Sequence, residues 1–237
     1  MPAPNDPQTM QTEHPIWKIW PRIEFVILHF CVFAICAVLL GALWVQFVAG
    51  EYPCPLCLLQ RMAMILTAIG SIFVITHGHY ARVQGFSVMG LGYGISILSA
   101  LVGLMISTRQ VLLHIAPGDA GYGSPVFGMH LYTWAGVVFL VVILVSGMML
   151  IFGRTPILHS PEYHEAESGN IAKNKYVRLS WYSWCTFWIF GAIIFINALA
   201  TFAESGFHAF LPDNPTSYRL FDEWGNPEAT GDDVGPS

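Results

Sequence analysis

Long stretches without a charged residue dominate the chain. Five of them are long enough to cross a membrane as a helix, which takes roughly 17 to 25 mostly apolar residues. The start of the fourth stretch is rich in glycine and proline, which indicates a loop before its helix begins near Leu131. The predicted membrane-spanning helices are Phe25–Val48, Leu58–Thr76, Phe86–Ser107, Leu131–Phe152 and Trp181–Ala203. Because the apolar runs do not alternate with period two, the predicted fold class is an all-α polytopic membrane bundle.

The composition agrees with this interpretation and excludes an ordinary soluble domain. Hydrophobic residues make up 54% of the 237 residues and charged residues 11%, with a mean hydropathy of +0.55. A typical soluble domain carries about 25% charged residues. The chain therefore lacks the charge that a fully water-exposed surface needs.

The positive charges predict how the bundle is oriented. Three segments that share one face of the membrane hold seven of the ten Lys and Arg residues: Lys18, Arg22, Arg82, Arg154, Lys173, Lys175 and Arg178. The positive-inside rule then places the N-terminal tail 1–24 and the loop 153–180 in the cytoplasm. The acidic C-terminal tail 204–237 is expected outside, with its aromatic part 207–224 against the membrane surface or a partner and its end disordered.

The short outside connection between the first two helices carries the candidate chemistry, Cys54-Pro55-Leu56-Cys57. Thiols that face an oxidising compartment are typical of redox-active or disulfide-bonded sites. A zinc site would use a second such pair or a closely spaced histidine pair, and the sequence has neither beside Cys54 and Cys57. A purely structural disulfide that closes so small a loop would stabilise little. The pattern favours a reactive pair.

The local sequence favours Cys57 as the reactive sulfur. Pro53 and Pro55 predict that the second helix begins at about Leu56 to Leu58, which places Cys57 at the positive end of the helix dipole. Arg61 follows one turn later on the same face. Both features favour thiolate over thiol. An arginine inside an apolar run is a functional candidate, although it could also be an interfacial anchor.

The segment Pro53-Cys54-Pro55-Leu56-Cys57-Leu58-Leu59-Gln60-Arg61 resembles the first external loop of the DsbB/DsbI-type disulfide bond formation proteins. The resemblance covers about Phe25–Phe152 and implies a four-helix DsbB-like membrane domain, to which this chain adds a fifth helix. It implies a bacterial inner-membrane thiol:quinone oxidoreductase. Such an enzyme passes electrons from a periplasmic thiol oxidase of the DsbA type to ubiquinone or menaquinone.

The resemblance also implies a role for each residue of the motif. Cys54 would exchange disulfides with the periplasmic partner, and the thiolate of Cys57 would contact the quinone ring. Arg61 would stabilise that thiolate and the charge that develops on the quinone oxygen. The CxxC motif and the C-terminal tail would then face the periplasm.

The chain departs from this family in its second external loop. Members of the DsbB type carry a second cysteine pair there, whereas Arg109–His130 contains no cysteine. Cys31 and Cys36 lie in mid-helix and Cys185 lies near the opposite membrane face, too far from the motif to form disulfides with it. We expect these three to be small buried hydrophobic residues. Any electron relay would then use a single disulfide.

The second loop supplies further candidates for binding a quinone. Its glycines and prolines could fold it over the cysteines, which would bring Arg109, Gln110, His114 and His130 to the same membrane face. A quinone carbonyl needs a hydrogen-bond donor, and its reduction needs protons that a histidine can deliver. We therefore predict Arg109, His114 and His130 as quinone-binding residues beside Cys57 and Arg61. The alternative is that they are ordinary interfacial polar residues.

Two other function classes remain open. A haem-binding electron-transfer subunit would need histidines at matching depth on facing helices, but only His29 lies inside a predicted helix core. A non-enzymatic assembly or scaffold protein with a vestigial CxxC would fit the missing second pair and the added fifth helix. No metal site and no nucleic-acid partner are expected.

Overall fold

Five long helices form the bundle. The computed structural model describes residues 15–78, 82–119, 121–123, 125–152, 180–207 and 217–221. Its helices are α1 (Pro15–Phe47), α2 (Pro55–His77), α3 (Val88–Leu113), α4 (Leu131–Phe152) and α5 (Trp181–Ser205). Two short antiparallel strands, β1 (Arg82–Val83) and β2 (Phe86–Ser87), join α2 to α3. All five helices are long and apolar enough to cross a membrane, which confirms the predicted all-α polytopic bundle.

Two helix boundaries differ from the prediction in ways that affect the site. α3 begins at Val88, not at Phe86, because Ser87 caps the helix by accepting a hydrogen bond from the Gly90 N–H. α3 also continues past Ser107 to Leu113, since no helix-breaking residue follows until Pro117. The predicted second loop therefore starts at His114, and its first five residues form the last turn of α3.

The other predicted segments are described only in part. α1 begins at Pro15, so the predicted N-terminal tail is helical in its second half. The predicted disordered end of the chain and nearly all of the predicted cytoplasmic loop, residues 153–179, lie outside the described residues. From the C-terminal tail, residues 217–221 pack back on the bundle, where the ring of Tyr218 contacts Phe47 and Tyr52. This part of the aromatic segment therefore covers the protein itself.

The helices alternate in direction, which brings the functional candidates to one end of the bundle. The ends of α1, α3 and α5 and the starts of α2 and α4 lie together there. We call this the CxxC end. The first loop, residues 48–54, and the second loop, residues 114–130, both connect helices at this end.

Small residues set the distance between α2 and α3. Gly70 of α2 faces Gly92 and Ser96 of α3 so closely that an added Cβ would collide with both. The Ser96 hydroxyl donates a hydrogen bond to the Thr67 carbonyl at 2.8 Å, across the same contact. Close backbone approach of this kind is typical of membrane helix pairs, whose association depends on packing and interhelical hydrogen bonds. α2 and α3 therefore pack as one tight unit.

Substituting Gly70 with alanine tests this contact. We expect Gly70→Ala to lower the free energy of unfolding by about 1 to 3 kcal/mol, because the new methyl group overpacks the α2–α3 interface. Gly94 is the matched control, since a Cβ there meets nothing within 4 Å. Thermal unfolding in detergent should show a lower midpoint for Gly70→Ala and an unchanged or higher one for Gly94→Ala. Equal midpoints would contradict the tight contact.

Candidate active site

The two cysteines of the motif sit at the first turn of α2. Cys54 is the N-cap residue, and its sulfur accepts a hydrogen bond from the Cys57 backbone N–H at 3.3 Å. The helix begins at Pro55, slightly earlier than predicted, because proline is well suited to the first helical position, where the missing N–H has no intrahelical acceptor. The first turn therefore brings both sulfurs to the positive end of the helix.

The two sulfur atoms are in contact. Cys54 Sγ and Cys57 Sγ lie 2.8 Å apart, and both residues are free thiols. Cys54 is buried, whereas Cys57 is partly exposed. This geometry suits a pair that alternates between dithiol and disulfide.

Gln110 of α3 contacts both sulfurs. Its side-chain amide donates to Cys54 Sγ at 3.2 Å and to Cys57 Sγ at 3.4 Å. Its carbonyl oxygen accepts a 2.9 Å hydrogen bond from the amide of Gln60, which fixes the orientation of the Gln110 side chain. Both glutamines are buried. An uncharged donor is thereby aimed at the thiol pair from the neighbouring helix.

The sequence contained a signal for Gln110. The residue continues the buried face of α3, on which Ser96, Gly103 and Ser107 precede it at helical spacing. The predicted second loop includes Gln110, whereas the residue lies in the last turns of α3.

The surroundings of the two sulfurs assign them different charges. The hydrogen bond with Cys57, followed by burial, raises the pKa of the Cys54 thiol, so Cys54 keeps its proton. Negative charge on Cys57 is stabilised by the N-terminus of α2, by the Gln110 amide and by the positive charge of Arg61. In the reduced pair, these contacts favour Cys57 over Cys54 as the position of the negative charge.

Arg61 joins α2 to α1. One guanidinium nitrogen donates to Gln46 Oε1 at 2.6 Å and another to the Ala42 carbonyl at 3.1 Å. The guanidinium is thus held inside the bundle, and an anchor at the lipid surface would lack these partners. Its partners are neutral oxygens of α1, so they orient the positive charge without cancelling it.

A cavity of about 100 Å³ lies beside Cys57 and Arg61. Gln46 and Gln60 line it on the same side, and most of the remaining wall is apolar or aromatic. That remainder includes Leu39, Met64, Tyr122, Leu131, Tyr132, Trp134 and Ala135. A largely apolar cavity with a few placed polar groups is typical of a small-molecule site.

The structure does not bring Arg109 to this cavity. Arg109 is exposed and lines a shallow groove on the outside of α3 with Met105 and Leu112. Adjacent helical residues point about 100° apart, so the inward position of Gln110 turns Arg109 outward. Arg109, predicted as a quinone-binding residue, therefore lies apart from the cavity that Cys57 and Arg61 line.

His114 and His130 lie one aromatic ring away from the cavity. Both stack on Tyr132, with ring centroids 5.8 Å and 5.2 Å from it, and neither histidine lines the cavity wall. His114 also lies 3.2 Å from the Asp119 carboxylate. A role for these histidines in binding would therefore act through Tyr132.

The two loops at the CxxC end are tied together above Cys54. The Tyr122 hydroxyl donates a 2.6 Å hydrogen bond to the Tyr52 carbonyl. Tyr122 interacts electrostatically with Cys54, and burial raises its own pKa. As predicted, the second loop folds over the cysteines. Cys54 is only 6% exposed.

The remaining cysteines do not join the site. Cys36 is buried in the core, as predicted, but Cys185 is exposed on the outer surface of α5, which corrects its prediction as a buried residue. His29 is within hydrogen-bond distance of the Phe25 carbonyl and the Ser183 hydroxyl. Within the described ranges, no group of three or more His, Cys, Asp or Glu residues could hold a metal ion.

The comparisons with known proteins agree with the site. Residues 24–122 match the family model described as disulfide bond formation protein DsbB. This part of the chain is similar to the DsbB family. The match ends before α4 and α5, so it is shorter than the resemblance that the sequence suggested. No solved structure matches the chain.

Relatives named disulfide bond formation protein B show the same partial similarity. The protein from Chromobacterium violaceum is 39% identical over 87 residues, which are 36% of this chain and 49% of the relative. The one from Nitrosomonas eutropha is 36% identical over 88 residues, 37% of this chain and 51% of the relative. The one from Azoarcus sp. is 37% identical over 93 residues, which are 39% of this chain and 53% of the relative. The chain thus spans about half the length of these curated relatives.

Replacing Gln110 tests its contact with the thiol pair. Hydrogen bonds to a charged group contribute about 1.5 to 3 kcal/mol, so Gln110→Leu should slow alkylation of Cys57 at neutral pH by about twofold to tenfold, because a smaller fraction of the thiol is ionised. The rate is measured on the fully reduced protein by mass spectrometry of the peptide that contains Cys57. Arg109→Gln, one residue away on the exposed face, is the control and should react like the unmodified protein. Equal rates for Gln110→Leu and the control would remove Gln110 from the site.

Proposed function

We propose that this protein is a thiol:quinone oxidoreductase of the bacterial inner membrane. It would oxidise a periplasmic dithiol partner through the Cys54–Cys57 disulfide and pass the electrons to a membrane quinone. The observation that carries the proposal is the position of Cys57 and Arg61 together in the wall of an apolar cavity. The DsbB family match across residues 24–122 supports it.

The first half of the reaction would be thiol–disulfide exchange. A thiolate of the partner attacks Cys54, and the Cys57 sulfur leaves as a thiolate, stabilised by the start of α2 and by Arg61. The second partner thiol then attacks the mixed disulfide. The partner leaves as a disulfide, and the Cys54 sulfur takes up a proton. Since the second loop lacks a cysteine pair, the partner would react directly with this single disulfide.

The cavity residues fit a quinone head group. Gln46 is buried and lines the cavity. Its amide nitrogen interacts with the Tyr218 side chain but makes no close hydrogen bond within the part of the chain that the structure describes. This donor is suited to a ring carbonyl, while Leu39, Met64 and Ala135 offer apolar contact. Ubiquinone or menaquinone, when bound, would accept two electrons and two protons.

The residues of the chain would promote the second half of the reaction by electrostatics. Arg61 places a fixed positive charge beside Cys57, where it stabilises the thiolate and any negative charge that develops across the cavity. Gln110 keeps the two sulfurs adjacent while the disulfide re-forms. Tyr132 separates the cavity from His114 and His130 and could carry protons between them.

The proposed orientation places the CxxC end in the periplasm. The seven basic residues in the N-terminal tail, the α2–α3 connection and the α4–α5 loop support this orientation. The partner would be a DsbA-like thiol oxidase or a dedicated thiol protein that approaches from this side.

The Cys57→Ser variant tests whether the protein is an enzyme. We expect it to abolish thiol-dependent reduction of a soluble quinone, because no disulfide can form without the second sulfur. Activity is followed by quinone absorbance with purified protein and a reduced dithiol protein. Cys36→Ala, in the core away from the site, should keep the activity. If Cys57→Ser were as active as Cys36→Ala, the CxxC would be vestigial, as in a scaffold protein.

Substitution of Arg61 tests the electrostatic part of the mechanism. Removing one preorganised donor typically costs about 10² to 10³ in rate, and we expect Arg61→Gln to lower kcat/KM for quinone by that order. Arg61→Lys keeps the positive charge but loses the pair of hydrogen bonds to α1. Its kcat/KM for quinone should therefore lie between those of the wild type and Arg61→Gln. The kcat/KM for the dithiol protein is measured on the same variants and compared with the kcat/KM for quinone. A loss confined to the dithiol step would contradict a role of Arg61 toward quinone.

A further inference from the structure

Glu204 is a buried carboxylate in the last turn of α5. It is 0% exposed, and neither of its oxygens has a hydrogen-bond partner among the residues that the structure describes. The sequence predicts it as the first residue of the acidic outside tail, whereas it belongs to the last turn of α5 and is buried. It continues the buried face of α5 that includes Ile193, Asn197 and Ala200. Burying an unpartnered charge is costly, so its position calls for a specific reason.

The reason lies at the CxxC end of the bundle. α5 packs against α1 and also touches α2, and Glu204 interacts electrostatically with Arg61 and Cys57. The other titratable groups that interact with it are Tyr122 of the second loop and Tyr218. Arg61 is the positive charge among these groups. The fifth helix, which lies outside the family match, thus adds a carboxylate to the thiol site.

The charge of Arg61 needs a different counterion in each redox state. In the reduced pair, the Cys57 thiolate balances the guanidinium. In the disulfide that negative charge is gone, while the guanidinium stays protonated because arginine keeps its proton in proteins. Its hydrogen-bond partners, Gln46 Oε1 and the Ala42 carbonyl, are neutral. A buried cation without a counterion is unfavourable. Glu51 of the first loop also lines the cavity, but Glu204 is the carboxylate that interacts electrostatically with Arg61 and is placed to supply the counterion.

We propose that Glu204 is a redox-linked charge-balancing residue, ionised when the cysteines form a disulfide and protonated when they are reduced. Reduction then adds two electrons and two protons to the site. The S–S bond breaks, one proton goes to Cys54, the other goes to Glu204, and Cys57 becomes the thiolate. Re-oxidation releases both protons beside the cavity. Glu204 acts through Arg61 and is a positioning residue.

The test is the pH dependence of the cysteine equilibrium with glutathione. Two glutathione thiols, protonated well below their ordinary pKa of about 8.5, release two protons when they reduce the disulfide. In the wild-type protein the site takes up both, so the equilibrium constant should not change with pH near neutrality. In Glu204→Gln the site takes up only one, and the constant should rise tenfold per pH unit. The fraction of reduced Cys57 is read by alkylation and mass spectrometry.

Two further variants support the test. Glu24→Gln removes another fully buried carboxylate, which accepts a hydrogen bond from Tyr93 far from the CxxC end, and should keep the wild-type pH dependence. Glu204→Asp retains a carboxylate and should show the same pH dependence as the wild type. A carboxylic acid C=O band that appears on reduction in the infrared difference spectrum, and is absent in Glu204→Gln, is the second readout. Identical pH dependence in wild type and Glu204→Gln would overturn the proposal.

This inference rests on the proposed function only in requiring a redox-active cysteine pair. The glutathione equilibrium uses neither quinone nor a protein partner. A protein inactive toward quinone could still show the predicted difference between wild type and Glu204→Gln. Conversely, full quinone activity with no such difference would leave the oxidoreductase in place and remove only the role of Glu204.

Discussion

The contact of Arg61 with α1 is the interaction on which the arrangement of the site depends. An arginine in the second turn of a membrane helix is stable only if its guanidinium finds partners inside the protein. Gln46 Oε1 and the Ala42 carbonyl provide them, and the apolar cavity opens where α1 and α2 meet around this contact. The same contact keeps the charge close to Cys57, one turn away. One side chain therefore both joins α1 to α2 and places a positive charge beside Cys57.

Much of this fold could be predicted because it depends on local sequence. Charge-free intervals located all five helices, and the spacing of Cys57 and Arg61 placed them on one face of α2. The errors came at helix ends, where membrane thickness is a poor guide. α3 continues beyond the expected bilayer boundary, and that extra turn decides that Gln110 faces the sulfurs while Arg109 faces outward.

The other missed residues depend on contacts between distant parts of the chain. Nothing near Glu204 in the sequence separates it from the acidic residues of the tail, and only the packing of α5 on α1 and α2 buries it. Gln46 is likewise one polar residue near the end of an apolar helix, and it becomes significant only because Arg61 meets it. Such partners are set by the tertiary structure, so a single sequence shows the candidates without their pairing.

The close packing of Gly70 against Gly92 and Ser96 has a consequence for the chemistry at the other end of the same two helices. The thiols belong to α2, whereas the amide that contacts them belongs to α3. A shift of one helical turn moves a residue by about 5.4 Å, which would carry the Gln110 amide out of hydrogen-bonding range. The interlocked glycines prevent sliding between the two helices. They thereby fix the register of α2 against α3, which keeps the Gln110 amide at the same height as both sulfurs.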